Sequence, residues 1–114
     1  MNTGLTKSQI ESEVLRAVAG ESQIEAVFGF GSFFRGEAFT DVDLAIIFTE
    51  DCSDTLAVYE QLIPNLKLAQ DSLGVRFDIT PLTVSEFRQR PLRDQNRLVL
   101  LFQRTKREPD GEFT

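Results

Sequence analysis

The apolar positions of this chain change period several times, and each change marks an element. Ile10, Val14, Leu15 and Val18 recur at helical spacing behind two overlapping capping boxes, Thr6 with Gln9 and Ser8 with Glu11, and Gly20 is placed to stop that helix. Ile24 to Phe30 is short, apolar and rich in β-branched and aromatic residues, which predicts a buried strand ending at Gly29-Phe30-Gly31. Phe33 to Ala38 has room for one or two helical turns. Asp41 to Phe48 then predicts a second strand, whose end, Ala45-Ile46-Ile47-Phe48, is apolar on both faces as in a central strand.

Ser53 or Asp54 is placed to cap a longer helix carrying Leu56, Ala57, Tyr59, Leu62 and Ile63. Pro64 interrupts that pattern and predicts a kink, or two helices, before Gly74. Val75 to Leu82 alternates apolar and polar residues and predicts a third strand. Thr83 and Glu86 form a capping box for a short helix around Phe87 that Pro91 ends. Leu98-Val99-Leu100-Leu101-Phe102 is a last apolar element, with a strand expected in its second half. From Thr105 the chain is polar and expected to fray. The order of elements predicts an α/β (α+β) domain over residues 1–104 with three or four strands, followed by a tail over 105–114.

Composition narrows the chemistry. The 114 residues include no histidine, which excludes a Ser-His-Asp triad, an imidazole base and a histidine-ligated metal. The single cysteine, Cys52, excludes an internal disulfide and a multi-cysteine metal site. Carboxylates, hydroxyls, arginines, lysines and backbone N–H groups remain. The net charge of −6 does not favour a nucleic-acid phosphate backbone, so no direct nucleic-acid partner is expected. The charge is uneven: residues 1–75 hold 12 acids and 4 bases, whereas residues 76–114 hold 8 bases and 6 acids. No run of apolar residues reaches membrane-spanning length, and Met1 to Leu5 lacks the pattern of a signal peptide, so a cytoplasmic protein without a membrane partner is expected.

The candidate chemistry lies between Gly29 and Leu44. Asp41 and Asp43 are two apart on a predicted strand, so both side chains leave one face while Val42 and Leu44 leave the other. Two neighbouring carboxylates repel unless something positive lies between them, and Mg²⁺ is the natural candidate because it takes carboxylate oxygens and keeps positions open for phosphates. In Val75-Arg76-Phe77-Asp78-Ile79, Arg76 and Asp78 share the polar face, so a third carboxylate faces the first two if the strands are neighbours. Gly31-Ser32 supplies the complement: a glycine that lets backbone approach a ligand, N–H groups at a turn, and a hydroxyl suited to phosphate oxygens. Arg35 either adds positive charge there or pairs with Glu37 or Asp41.

The succession Gly-Ser, Arg-Gly-Glu and Asp-x-Asp followed by an apolar strand resembles the nucleotidyltransferase superfamily of DNA polymerase beta. It is most similar to the minimal nucleotidyltransferase (MNT) proteins, antitoxins of the MntA type encoded beside HEPN-domain toxins. The resemblance spans about residues 20–104 and implies a small mixed sheet with helices packed on it. It implies that Gly31 and Ser32, with Arg35 and Gly36 at the Arg-Gly step, bind the nucleotide. Asp41, Asp43 and Asp78 are then the catalytic, metal-binding set for Mg²⁺ or Mn²⁺. The implied reaction transfers AMP from ATP to a hydroxyl, a tyrosine of the HEPN partner. The alternative is a catalytically silent antitoxin that neutralises its toxin by occlusion. Eight residues separate Ser32 from Asp41, two fewer than in the usual antitoxin pattern, and Thr40 stands where a serine is common.

Other candidates have structural readings beside functional ones. Tyr59 is read as a core residue, and Cys52 as inert at a strand end. Phe33, Phe34 and Phe39 either pack between helix and sheet or wall a nucleobase. Arg88, Arg90, Arg93 and Arg97 form either a positive face toward a partner or a solvated helix face.

Overall fold

A computed structural model describes residues 4–89 and 97–104. The alternation of β2 (Asp41–Phe48) orders the rest: Val42, Leu44, Ile46 and Phe48 are buried on one face, and Asp41, Asp43, Ala45 and Ile47 take the other. A slip of one residue would drive the two aspartates into the helix-side core, so hydrophobic burial itself places the carboxylates. β2 is flanked by β1 (Ile24–Phe30), antiparallel, and by β3 (Arg76–Thr83), parallel. With β4 (Val99–Gln103) antiparallel on the far side of β1, the strand order is β3-β2-β1-β4. The result is the expected α/β plan, a mixed sheet of four strands among the described residues.

Two helices cover one face. α1 (Lys7–Val18) starts at the Thr6–Gln9 capping box, so of the two overlapping signals the first is used. It buries Ile10, Val14, Ala17 and Val18, while Leu15 remains about half exposed. α2 (Thr55–Leu73) starts at Asp54, whose side chain accepts the Ala57 N–H at 3.0 Å. It runs through Pro64 as one helix, against the expected kink or break. Pro64 is on the exposed side, where water can satisfy the carbonyl one turn back. Val58 and Leu62 before it and Leu66 and Ala69 after it hold one buried stripe. β2, α2 and β3 thus form a strand–helix–parallel strand crossover, which sets Asp78 beside β2.

Among the described residues the opposite face is covered at one end only. α3 (Val84–Gln89) begins at the Thr83–Glu86 capping box and lays Val84 and Phe87 on Ala26, Ala45, Ile47 and Leu82. The Phe87 ring stacks on Phe28 at 5.0 Å. Pro81 lies in β3, an outer strand of the sheet, where a missing N–H leaves no ladder bond broken on the open side. Arg104 locks the end of β4 to the first half of the chain: its guanidinium donates to the carbonyls of Glu21 at 2.8 Å, Ile24 at 3.0 Å and Val18 at 3.4 Å. Met1 to Thr3, the predicted stop at Pro91, Arg90, Arg93 and the tail over 105–114 lie outside the described residues.

Candidate active site

The loop between β1 and β2 makes the turn side of the site. The stretch 33–38 holds no helix; residues 32–36 form consecutive turns, in which Arg35 N–H donates to the Gly31 and Ser32 carbonyls, Gly36 N–H to Phe33, and Glu37 N–H to Ser32. The N–H groups of Ser32, Phe33 and Phe34 donate no backbone bond among the described residues. Gly31 has φ +80°, in the left-handed region, and a Cβ there would fall on the Asp43 carboxylate. Glycine is therefore required twice, by backbone geometry and by the acid packed against it.

Phe33, Phe34 and Phe39 hold this loop on the sheet. Phe33 meets Phe34 and Phe39 edge to face, with ring centroids 4.9 Å apart in both pairs, and all three pack against the helix-side core. The Phe34 ring occupies the space a side chain at Gly29 would need. Packing is what these three rings do. Arg35 pairs with Glu37 at 3.1 Å, one of the pairings open in the sequence, and its charge also reaches Asp43. Gly36, at φ +78°, turns the chain away beside it.

The carboxylates come together across β2 and β3. Asp43 and Asp78 are register partners and Asp41 partners Arg76, so Asp41, Asp43, Asp78 and Arg76 share one face. Asp43 is half-buried, whereas Asp78 is exposed. Burial pushes the Asp43 carboxyl above its usual 3.8, and the Asp78 charge, a hydrogen bond with Asp78 and the Asp41 charge push the same way; Arg35 opposes them. Among the described residues no three acidic or cysteine side chains stand close enough to form a ready-made metal-binding group. The all-oxygen donor set nonetheless suits a hard divalent cation, since such an ion would relieve the repulsion between the carboxylates.

Two residues without a signal in the sequence lie beside this site. The Gln70 side chain of α2 accepts the Phe77 N–H at 2.7 Å, pinning β3 next to Asp78. Phe30 is the register partner of Asp43 on β1 and is half-buried on the carboxylate face. Neither carries a local signal, because both roles depend on which strands and helices become neighbours. Tyr59 packs against the core and borders a cleft of about 240 Å³ with Phe48, Leu82 and Thr83, at the ends of β2 and β3 away from the carboxylates. Cys52 also packs partly buried against the core. Arg88 pairs with Glu50 at 3.2 Å, both well exposed, as a solvated surface contact.

Residues 13–102 match the family described as "Polymerase beta, Nucleotidyltransferase". Among solved structures, the chain is similar to a Sulfolobus solfataricus protein assigned as a nucleotidyltransferase, with 17% identity over 86% of this chain and 80% of that one, at a TM-score of 0.56. It is also similar to a chain of the MntA–HpeT toxin–antitoxin assembly, solved as a mutant with two aspartate-to-glutamate changes. There the identity is 15% over 88% of this chain and 75% of that one, at a TM-score of 0.51. No curated protein matches the sequence.

Proposed function

The chain belongs to the polymerase beta nucleotidyltransferase family, and from that premise we propose that it transfers AMP from ATP to a hydroxyl of a separate protein, a tyrosine of a HEPN-domain toxin. The observation that carries this reading is the contact of two motifs distant in sequence: the Gly31-Ser32 turn lies against Asp43, which is itself paired with Asp78. The structural neighbour named as a toxin–antitoxin assembly supports the choice of partner. The two aspartates changed in that neighbour are two residues apart, the spacing of Asp41 and Asp43 here.

In this mechanism Asp41, Asp43 and Asp78 would hold Mg²⁺ or Mn²⁺, which would supply positive charge against the phosphates and lower the cost of leaving-group departure. The Ser32 hydroxyl and the N–H groups of Ser32, Phe33 and Phe34 receive phosphate oxygens and fix the triphosphate. The acceptor oxygen attacks the α-phosphorus, the bond to the bridging oxygen breaks, pyrophosphate leaves, and Asp78 takes the hydroxyl proton. Asp78 is the exposed member of its pair, which leaves it accessible to an acceptor carried by another chain.

The loop between Ser32 and Asp41, two residues shorter than in the usual antitoxin pattern, favours a second reading, a silent antitoxin acting by occlusion. Mass spectrometry of the toxin partner, incubated with this protein, Mg²⁺ and ATP, separates the two. Transfer predicts mass steps of one AMP with wild type and none with Asp41→Asn, while the complex persists in both. Protection without any mass step by either protein would establish occlusion.

A further inference from the structure

The carboxylate face of the sheet is laid out in rungs. Asp78, Asp43 and Phe30 are neighbours across β3, β2 and β1. Thr80, Ala45, Phe28 and Leu100 form the next rung across all four strands. Leu82, Ile47 and Ala26 form a third, buried one, where α3 lies, with Phe87 over Phe28. Between α3 and the carboxylates this leaves, among the described residues, an apolar floor made of the half-buried Phe30 and the exposed Leu100. Leu100 is 44% exposed, and it is the strand residue among the exposed large apolar side chains of the described residues; Leu15, Leu56, Ile63 and Leu68 are all on helices.

The two sides of Asp43 are not equivalent. Asp78 lies toward β3, so an acceptor hydroxyl that gives up its proton there arrives over β3. The Gly31-Ser32 turn continues directly from Phe30, so a triphosphate held by it lies on the β1 side. The sugar and base leading away from the α-phosphate then have the β1–β4 half of the face. From Asp43 to Leu100 is two strand spacings across and two residues along, about 12 Å between Cα atoms, within the reach of a nucleoside monophosphate. The other aromatic residues around the turn are committed elsewhere: Phe33, Phe34 and Phe39 pack on one another and on the helix-side core.

We propose that Phe30, with Leu100 beyond it on β4, is the floor on which the base of the bound nucleoside triphosphate rests. A flat heteroaromatic ring matches this surface because it buries apolar area on a ring face without requiring a charged partner beside three acids. The inference rests on the nucleotide-binding reading above and adds the residues that recognise the base.

Calorimetry with two probes, Mg–ATP and Mg–tripolyphosphate, tests it. Phe30→Ala is expected to weaken ATP binding about tenfold and Leu100→Ser severalfold, with tripolyphosphate affinity unchanged in both; Phe30→Tyr is expected to restore ATP binding. Leu100 is exposed enough that its replacement leaves the fold intact, so the floor is tested even if Phe30→Ala destabilises the sheet. ATP affinity unchanged in Leu100→Ser and in the folded Phe30 variants, or both probes weakened alike, would overturn the floor while leaving the phosphate site standing. Wild type binding neither probe would overturn the nucleotide reading itself, and the floor with it.

Discussion

The carboxylate of Asp43 fills the space that a side chain at Gly31 would occupy. The turn proposed to receive phosphates and the acid proposed to hold a cation are therefore in van der Waals contact, although eleven residues lie between them in sequence. A change at either position reaches both functions.

Gly31→Ala is accordingly expected to damage stability and binding together. The left-handed backbone costs an L-residue about 1–2 kcal/mol, and the new methyl must displace Asp43. A lower melting temperature with strongly weakened ATP affinity is the expected result. An unchanged ATP affinity by calorimetry would show that the turn takes no part in binding.

Ser32→Ala removes one hydroxyl and leaves the backbone in place. We expect a loss of about 1 kcal/mol in ATP affinity, roughly fivefold, with no change in melting temperature. Equal affinity in the variant would confine phosphate recognition to the N–H groups.

Asp43→Asn should stabilise the cation-free protein at neutral pH. The folded-state pKa of Asp43 is raised above 3.8, so ionising it costs folding free energy above that folded value, and the cost vanishes at pH below 3.8. The gain is no more than about 1 kcal/mol, because the site is half open to water. It should be present at pH 7 and fade as the pH falls toward 3.8; a gain that is flat with pH would mean that charge repulsion is not its source.

Arg104→Ala separates the scaffold from the site. Three charge-assisted hydrogen bonds to the carbonyls of Val18, Glu21 and Ile24 are lost, at a cost of about 2 kcal/mol. ATP affinity should be unchanged at temperatures where the variant is folded, since Arg104 is on the helix side of the sheet, tied to the end of α1. Chemical denaturation and calorimetry on the same variant check both parts.

The strands were the most legible part of the sequence. Ile24–Phe30 and Asp41–Phe48 are found within the predicted bounds, because each is an apolar run closed by turn residues. The long helix was less legible: the break expected at Pro64 assumes that the lost hydrogen bond must be made good by protein, and at an exposed position it need not be. The pairing of Asp43 with Asp78 depended on β2 and β3 being neighbours, and neither strand carries that information alone. Phe30 was hidden for the same reason. Its place beside Asp43 is a property of the β1–β2 register, whereas Phe33, Phe34 and Phe39 drew notice by standing within the motif.

The most direct measurement of the central claim, that the Gly31-Ser32 turn and the three carboxylates form one cation–nucleotide site, is the melting temperature with and without millimolar Mg²⁺ and ATP. Wild type should gain stability only when both are present, by mass action on the folded state. Asp41→Asn, Asp43→Asn and Asp78→Asn should each lose most of that gain. A wild-type melting temperature indifferent to Mg²⁺ and ATP, or a gain that survives in all three variants, would contradict the claim.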